Sequence, residues 1–191
     1  SVVPALTGQV LAGLRVLCSA RILTVGPGLK SGIKLRLDNP AQLGAELLCG
    51  AVAALEEGPG PLAVISADTA ISIMAVNGKQ ELVGGVILPG PQLSLSALVQ
   101  KTAQLPQIDL SAPASSSILG KNTSACLQNG FVLGTAGLLD GLAERFQAEL
   151  GPDIRFYATG NLPRTIREAC RTPIEYREYL ITDGLYRIWQ K

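Results

Sequence analysis

Two carboxylates, Glu46 and Asp68, sit beside glycine and hydroxyl residues in the runs Gly44-Ala45-Glu46 and Ser66-Ala67-Asp68-Thr69. Ala158-Thr159-Gly160-Asn161 adds a glycine turn, and Gly120-Lys121-Asn122-Thr123 adds a further hydroxyl. The chain has no histidine, so the commonest general base and metal ligand is absent. Proton transfer would fall to a carboxylate, a lysine or a hydroxyl. Cys18, Cys49, Cys126 and Cys170 are scattered with no C-x-x-C pair, which reads as reduced thiols and not as a zinc site or disulfide framework. Each candidate also has a plain structural reading. Glu46 suits a helix start, where the helix dipole favours an acid; Asp68 suits a turn; Thr123 suits a helix cap.

Gly84-Gly85-Val86-Ile87-Leu88-Pro89-Gly90, Leu105-Pro106-Gln107-Ile108 and Gly120-Lys121-Asn122-Thr123 together resemble the middle of a type III pantothenate kinase. These bacterial enzymes start coenzyme A synthesis. Val25-Gly-Pro-Gly-Leu-Lys-Ser-Gly32 is close to the family's V-G-P-G-x-K-T-G. The resemblance covers nearly the whole chain. Its opening, Ser1-Val2-Val3-Pro4, is similar to a family segment well downstream of an Asp-x-Gly-Asn-Thr phosphate loop. Ser1 is not a start methionine, so a trimmed or N-terminally incomplete chain is expected, and no signal peptide is visible.

Phosphoryl transfer needs groups that hold phosphates, a carboxylate that orients metal or takes the hydroxyl proton, and an acceptor held in line. The resemblance assigns those roles unevenly. Gly44-Ala45-Glu46-Leu47 aligns with the family's Gly-Ala-Asp-Arg, which makes Glu46 the position of the catalytic acid and Gly44 and Ala45 substrate contacts. Leu47 replaces the arginine that grips the pantothenate carboxylate, and Leu37 replaces an aromatic contact. Ser66 stands where the family aspartate binds a monovalent cation. Thr69 matches a phosphate contact, but Asp68 replaces the glycine beside it, and a carboxylate repels phosphate unless a cation intervenes. Gly160 matches the turn under the nucleoside, and Asn161 replaces its second glycine. Thr123 matches the threonine that reaches across the dimer interface to pantothenate held by the neighbouring subunit. The resemblance therefore implies ATP, Mg2+ and a monovalent cation (K+ or NH4+) bound by a partner chain, with pantothenate as substrate.

The 191 residues suit one large domain or one and a half small ones, and 47% apolar residues can fill a core. Lys plus Arg is 16 and Asp plus Glu is 15, so no basic field attracts nucleic acid or anionic lipid. No run reaches the roughly 18 apolar residues of a membrane span, and a cytoplasmic protein is expected.

The elements that would position these residues are readable. Helices are expected over Pro4–Cys18, Pro40–Glu57, Gln92–Gln104, Leu162–Arg171 and Leu180–Gln190, with a long one from Thr123 to Gly151-Pro152 capped by Asn122 or Thr123. Strands are expected at Arg21–Val25, Leu62–Ser66, Ala70–Val76, Glu81–Leu88, Ile154–Thr159 and Ile174–Tyr176. Asn77-Gly78 predicts a type I′ hairpin turn, Gly84-Gly85 a bulge or close approach, and 109–118 a surface loop.

A three-strand meander followed by alternating helix and strand is the order of a ribonuclease H-like domain, the α/β fold of the acetate kinase, sugar kinase, Hsp70 and actin group. We expect that domain over 61–191, and over 1–60 the remnant of a second domain of the same type. The strand at Ile22–Val25 would lie at an unprotected edge unless another segment covers it. Gly130, Gly134, Gly137 and Gly141 share one face of the long helix, either packed tightly on the chain's own sheet or forming a dimer contact. The functional expectation is a kinase subunit, catalytically incomplete alone, that completes the pantothenate pocket of a full-length partner or of a homodimer. The alternatives are a regulatory or scaffold homologue and a fragment of a longer kinase.

Overall fold

A computed structural model describes residues 4–26, 28–114 and 117–191. In chain order the elements are α1 (Pro4–Leu17), β1 (Lys34–Leu35), α2 (Ala45–Glu56), β2 (Leu62–Ala67), β3 (Ala70–Val76), β4 (Glu81–Pro89), α3 (Pro91–Lys101), α4 (Thr123–Leu150), β5 (Arg155–Gly160), α5 (Arg164–Ala169), β6 (Ile174–Tyr176) and α6 (Leu180–Gln190). The strands form one mixed sheet in the order β1-β4-β3-β2-β5-β6. β2, β3 and β4 make an antiparallel meander; β5 and β6 extend it in parallel beyond β2. This is the predicted meander followed by alternating helix and strand.

β2 is buried nearly throughout, which is why it reads as a continuous apolar run. Its alternate side chains serve two cores. Ala63, Ile65 and Ala67 pack with Phe156 and Ala158 against Val132, Ala136, Leu139 and Ala143 of α4. Leu62 and Val64 pack with Met74, Val76 and Tyr157 against Leu47, Ala51 and Ala54 of α2 and Leu180 of α6. The sheet is thus sandwiched between α4 on one face and α2 with α6 on the other.

The Gly84-Gly85 pair is a bulge and a close approach together. Register shifts at Ala75/Val76, Gly84 has φ +144°, and a Cβ on Gly85 would lie 2.0 Å from the Ile73 carbonyl oxygen.

Four expectations need correcting. Residues 21–25 form no strand, because among the described residues no chain pairs with them and a strand exists only through its ladder. A two-residue strand at Lys34–Leu35 forms instead, parallel to Glu81 and Leu82. The helix expected over 40–57 divides into a 3-10 turn at Pro40–Gln42 and α2, because Gly44 is extended (φ −59°, ψ 132°). The helix expected over 162–171 is only Arg164–Ala169. The β3–β4 hairpin is not type I′, since Gln80 carries the positive φ, 58°. It is a three-residue loop in which the Asn77 side chain accepts from the amides of Lys79 and Glu81, at 2.9 and 3.0 Å.

The expected loop is irregular over its described residues, 109–114 and 117–118; the rest of it lies outside them. Gly130, Gly134, Gly137 and Gly141 lie along α4, the first two beside a cavity that Leu88 and Pro89 of β4 also line. A Cβ added at any of them would meet nothing within 4 Å, so tight packing on the chain's own sheet is not their role.

Candidate active site

The ends of β2 and β5 bring together Asp68, Thr69, Gly160 and Asn161. Asp68, Thr69 and Asn161 line a cavity of about 440 Å3 with Gln92, Asp109 and Ser111. The Asn161 side-chain amide donates to the Asp68 carboxylate at 2.9 Å. Its backbone N–H donates to the Ala67 carbonyl, while Asp68 N–H donates to Ala70 and Gly90 N–H to Thr69. The turn that would cradle a phosphate is therefore laced to β5 on one side and β4 on the other.

Gly160, at φ +83°, is needed by the fold itself: a Cβ there would come within 2.3 Å of the Ala67 carbonyl oxygen. Gly90 is similar, at 2.3 Å from the Asp68 carbonyl oxygen, and Gly120 at 2.4 Å from the Cys126 amide nitrogen.

Gly44, Ala45 and Glu46 are placed elsewhere. Gly44 is the N-cap of α2, and Glu46 is an exposed acid in its first turn. Ala45 and Glu46 line a separate, largely apolar cavity of about 310 Å3 with Val10 and Leu14 of α1, Val25, and Leu185 of α6. Leu47 is 7% exposed and belongs to the apolar core against which Leu37 packs. The two leucines thus belong to or pack on one apolar core, where the resemblance implies substrate contacts. Among the described residues the structure does not bring Glu46 to the cavity that holds Thr69.

Ser66 lies on β2 directly beside Ser72 on β3 and Thr159 on β5. This row places hydroxyls where the resemblance implies a carboxylate. Among the described residues no group of three or more His, Cys, Asp or Glu side chains could hold a metal ion. The row brings neutral hydroxyl oxygens and no negative charge, in contrast to the aspartate the resemblance implies.

Thr123 is the first residue of α4 and is exposed. Its expected alternative duty falls to Asn122, whose side chain accepts from the Ala125 amide at 2.9 Å. The preceding loop is strapped onto α4: buried Asn129 donates to the carbonyls of Ser117 and Ile118 at 2.8 and 3.2 Å, and Gln128 donates to that of Ala112. Sequence reasoning missed Asn129, and its only signal was an amide among the apolar and small residues of a core helix. It also missed the pairing of Asp68 with Asn161 and the shared core of Leu37 and Leu47.

The type III pantothenate kinase family profile matches residues 1–145. A type III pantothenate kinase of Koribacter versatilis is 38% identical over 169 residues, 88% of this chain and 61% of that protein. One from Dehalococcoides mccartyi is 38% identical over 190 residues, 100% of this chain and 72% of that protein. The chain thus spans less than two thirds of the Koribacter protein's length. Among solved structures, the activator of the 2-hydroxyisocaproyl-CoA dehydratase from Clostridium difficile, with bound ADPNP, covers 98% of this chain at 13% identity and a TM-score of 0.49, too distant to bear on function. With the profile spanning most of the sequence and identity of this order along its length, the chain belongs to the type III pantothenate kinase family.

Proposed function

We propose that this chain is a subunit of a heteromeric type III pantothenate kinase, which phosphorylates pantothenate with ATP at the start of coenzyme A synthesis. A full-length family member supplies the phosphate loop, the catalytic aspartate and the cation site, and with them ATP, Mg2+ and K+ or NH4+. This chain supplies the outer face of α4 and Thr123, which enters the partner's pantothenate pocket. A homodimer would use the same face.

The observation that carries this reading is the contrast between Thr123 and the glycines that match the family. Gly85, Gly90, Gly120 and Gly160 are each held by a close backbone or side-chain contact within the fold. Thr123 is exposed and is not the cap of its helix. A hydroxyl with neither duty fits a contact outside the chain. Its place in the mechanism is to donate to or accept from pantothenate and so hold the acceptor hydroxyl in line.

In the same proposal β2 to β6 belong to a ribonuclease H-like domain over 61–191, and 1–60, whose β1 and α2 pack on that sheet, is the remnant of a second such domain. The meander flanked by parallel strands supports the first part.

The test is a pantothenate phosphorylation assay on this chain alone and on an equimolar mixture with a full-length family member inactivated at its own equivalent threonine. Activity only in the mixture is expected, and Thr123→Ala should raise KM for pantothenate without dissociating the pair. Unchanged kinetics with the complex intact would remove the pocket role. The regulatory reading is favoured by the core packing of Leu37 and Leu47. It requires assembly with no effect on turnover.

A further inference from the structure

We infer that Asp68 and Asn161 act as one unit that shuts phosphate out of the cavity at the ends of β2 and β5. This rests on the family reading above and deepens it, because it says how this subunit is kept from competing for nucleotide. The two residues are far apart in sequence but joined by a 2.9 Å hydrogen bond across the cavity rim. Each replaces a glycine of the family pattern, and each side chain would be an obstacle alone. Together, the amide of one satisfies the carboxylate of the other.

Three further observations support closure. The amides of Asp68, Gly90 and Asn161 are committed to carbonyls of the chain. The cavity lining includes the carboxylates of Asp68 and Asp109, and no lysine or arginine is found in it. The first residues of α3, Pro91, Gln92 and Leu93, line the same cavity without adding a charged side chain. A phosphate entering there would meet like charge in partly screened surroundings, where one such contact costs on the order of tenfold or more in affinity.

The test is binding of ATP without divalent cation by calorimetry to the intact chain and to Asp68→Gly, Asn161→Gly and the double variant, with thermal melts as the folding check. The wild type is expected to bind more weakly than the double variant by about tenfold or more. The gain in the double should differ from the sum of the singles, because the residues are coupled. Equal binding by wild type and double variant, both folded, would overturn the unit. The two proposals fail separately. Tight binding by the wild type would also remove the nucleotide-free subunit reading, whereas weak binding by both, with the mixed assay still active, would leave that reading standing. If the double variant melts much lower, the same titration on Asp68→Asn decides: this change removes charge and keeps the shape, and a gain over wild type is expected. No gain there would overturn the proposal.

Discussion

Asp140 shows how much one buried residue can fix. Its side chain, 4% exposed on α4, accepts from the amide of Arg171 at 3.0 Å and of Thr172 at 2.9 Å, and from the Arg171 guanidinium at 3.3 Å. Burial pushes its pKa up, but the amides of Thr172 and Arg171 outweigh that and hold it below the ordinary carboxylate value. A lowered folded pKa means a contribution fully present at neutral pH and lost as pH falls below the ordinary value toward the folded one. Asp140→Asn turns an acceptor into a group with an N–H facing other N–H donors. It should destabilise by about 1–3 kcal/mol at pH 7. In urea titrations the gap to wild type should narrow as pH falls through the carboxylate range. A gap that does not change with pH would mean the charge is irrelevant. Glu81 follows the same sign, since the Asn77 amide and Arg36 hold it at about 2.

At the scale of elements, the crossing of α2 and α6 depends on Gly184. A Cβ there would lie 1.9 Å from the Cys49 carbonyl oxygen, which backbone cannot yield without the helices parting. Gly184→Ala should destabilise by about 1–3 kcal/mol. Burial pushes the Cys49 thiol up to about 11, so it should resist thiol reagents at pH 8 while exposed Cys18 and Cys126 react. In the alanine variant Cys49 should become labelled at low denaturant, and protection equal to wild type would refute the tight crossing. Nothing in the sequence marks Gly184, because the spacing that matters is to another helix far along the chain. What was legible follows from local physics: apolar runs of strand length, proline and asparagine at helix starts, and the glycine pair in β4. What failed depended on partners. Ile22–Val25 has strand composition but no neighbour to pair with among the described residues, whereas Lys34–Leu35, in an alternating Ile33-to-Leu37 run too short to notice, has Glu81 and Leu82 beside it. The site divides the same way. Each departure from the pattern the resemblance implies could be read singly, but that Asp68 meets Asn161 and that Leu37 packs on the core of Leu47 needed the fold.

For the whole molecule the open question is what lies on the outer face of α4. Gly130, Gly134 and Gly137 are exposed, Gly141 half-buried, and Leu138 beside them is 42% exposed. Each glycine weakens an isolated helix by about 1 kcal/mol relative to alanine, and no contact inside the chain offsets that. In a monomer, then, Gly134→Ala and Gly137→Ala should stabilise, since their helical backbone accepts a Cβ and the added methyls meet only solvent. If another helix packs on this face, the same methyls hold it away and association weakens. The two effects have opposite signs and are read by different instruments. The double alanine variant should melt higher than wild type at dilutions where both are monomeric, and sedimentation should show a weaker assembly with itself or with a full-length family member. A higher melting temperature with unaltered assembly would place the interface elsewhere and leave Thr123 without a route to a neighbour's pocket. A lower melting temperature would mean the face is already packed within the chain.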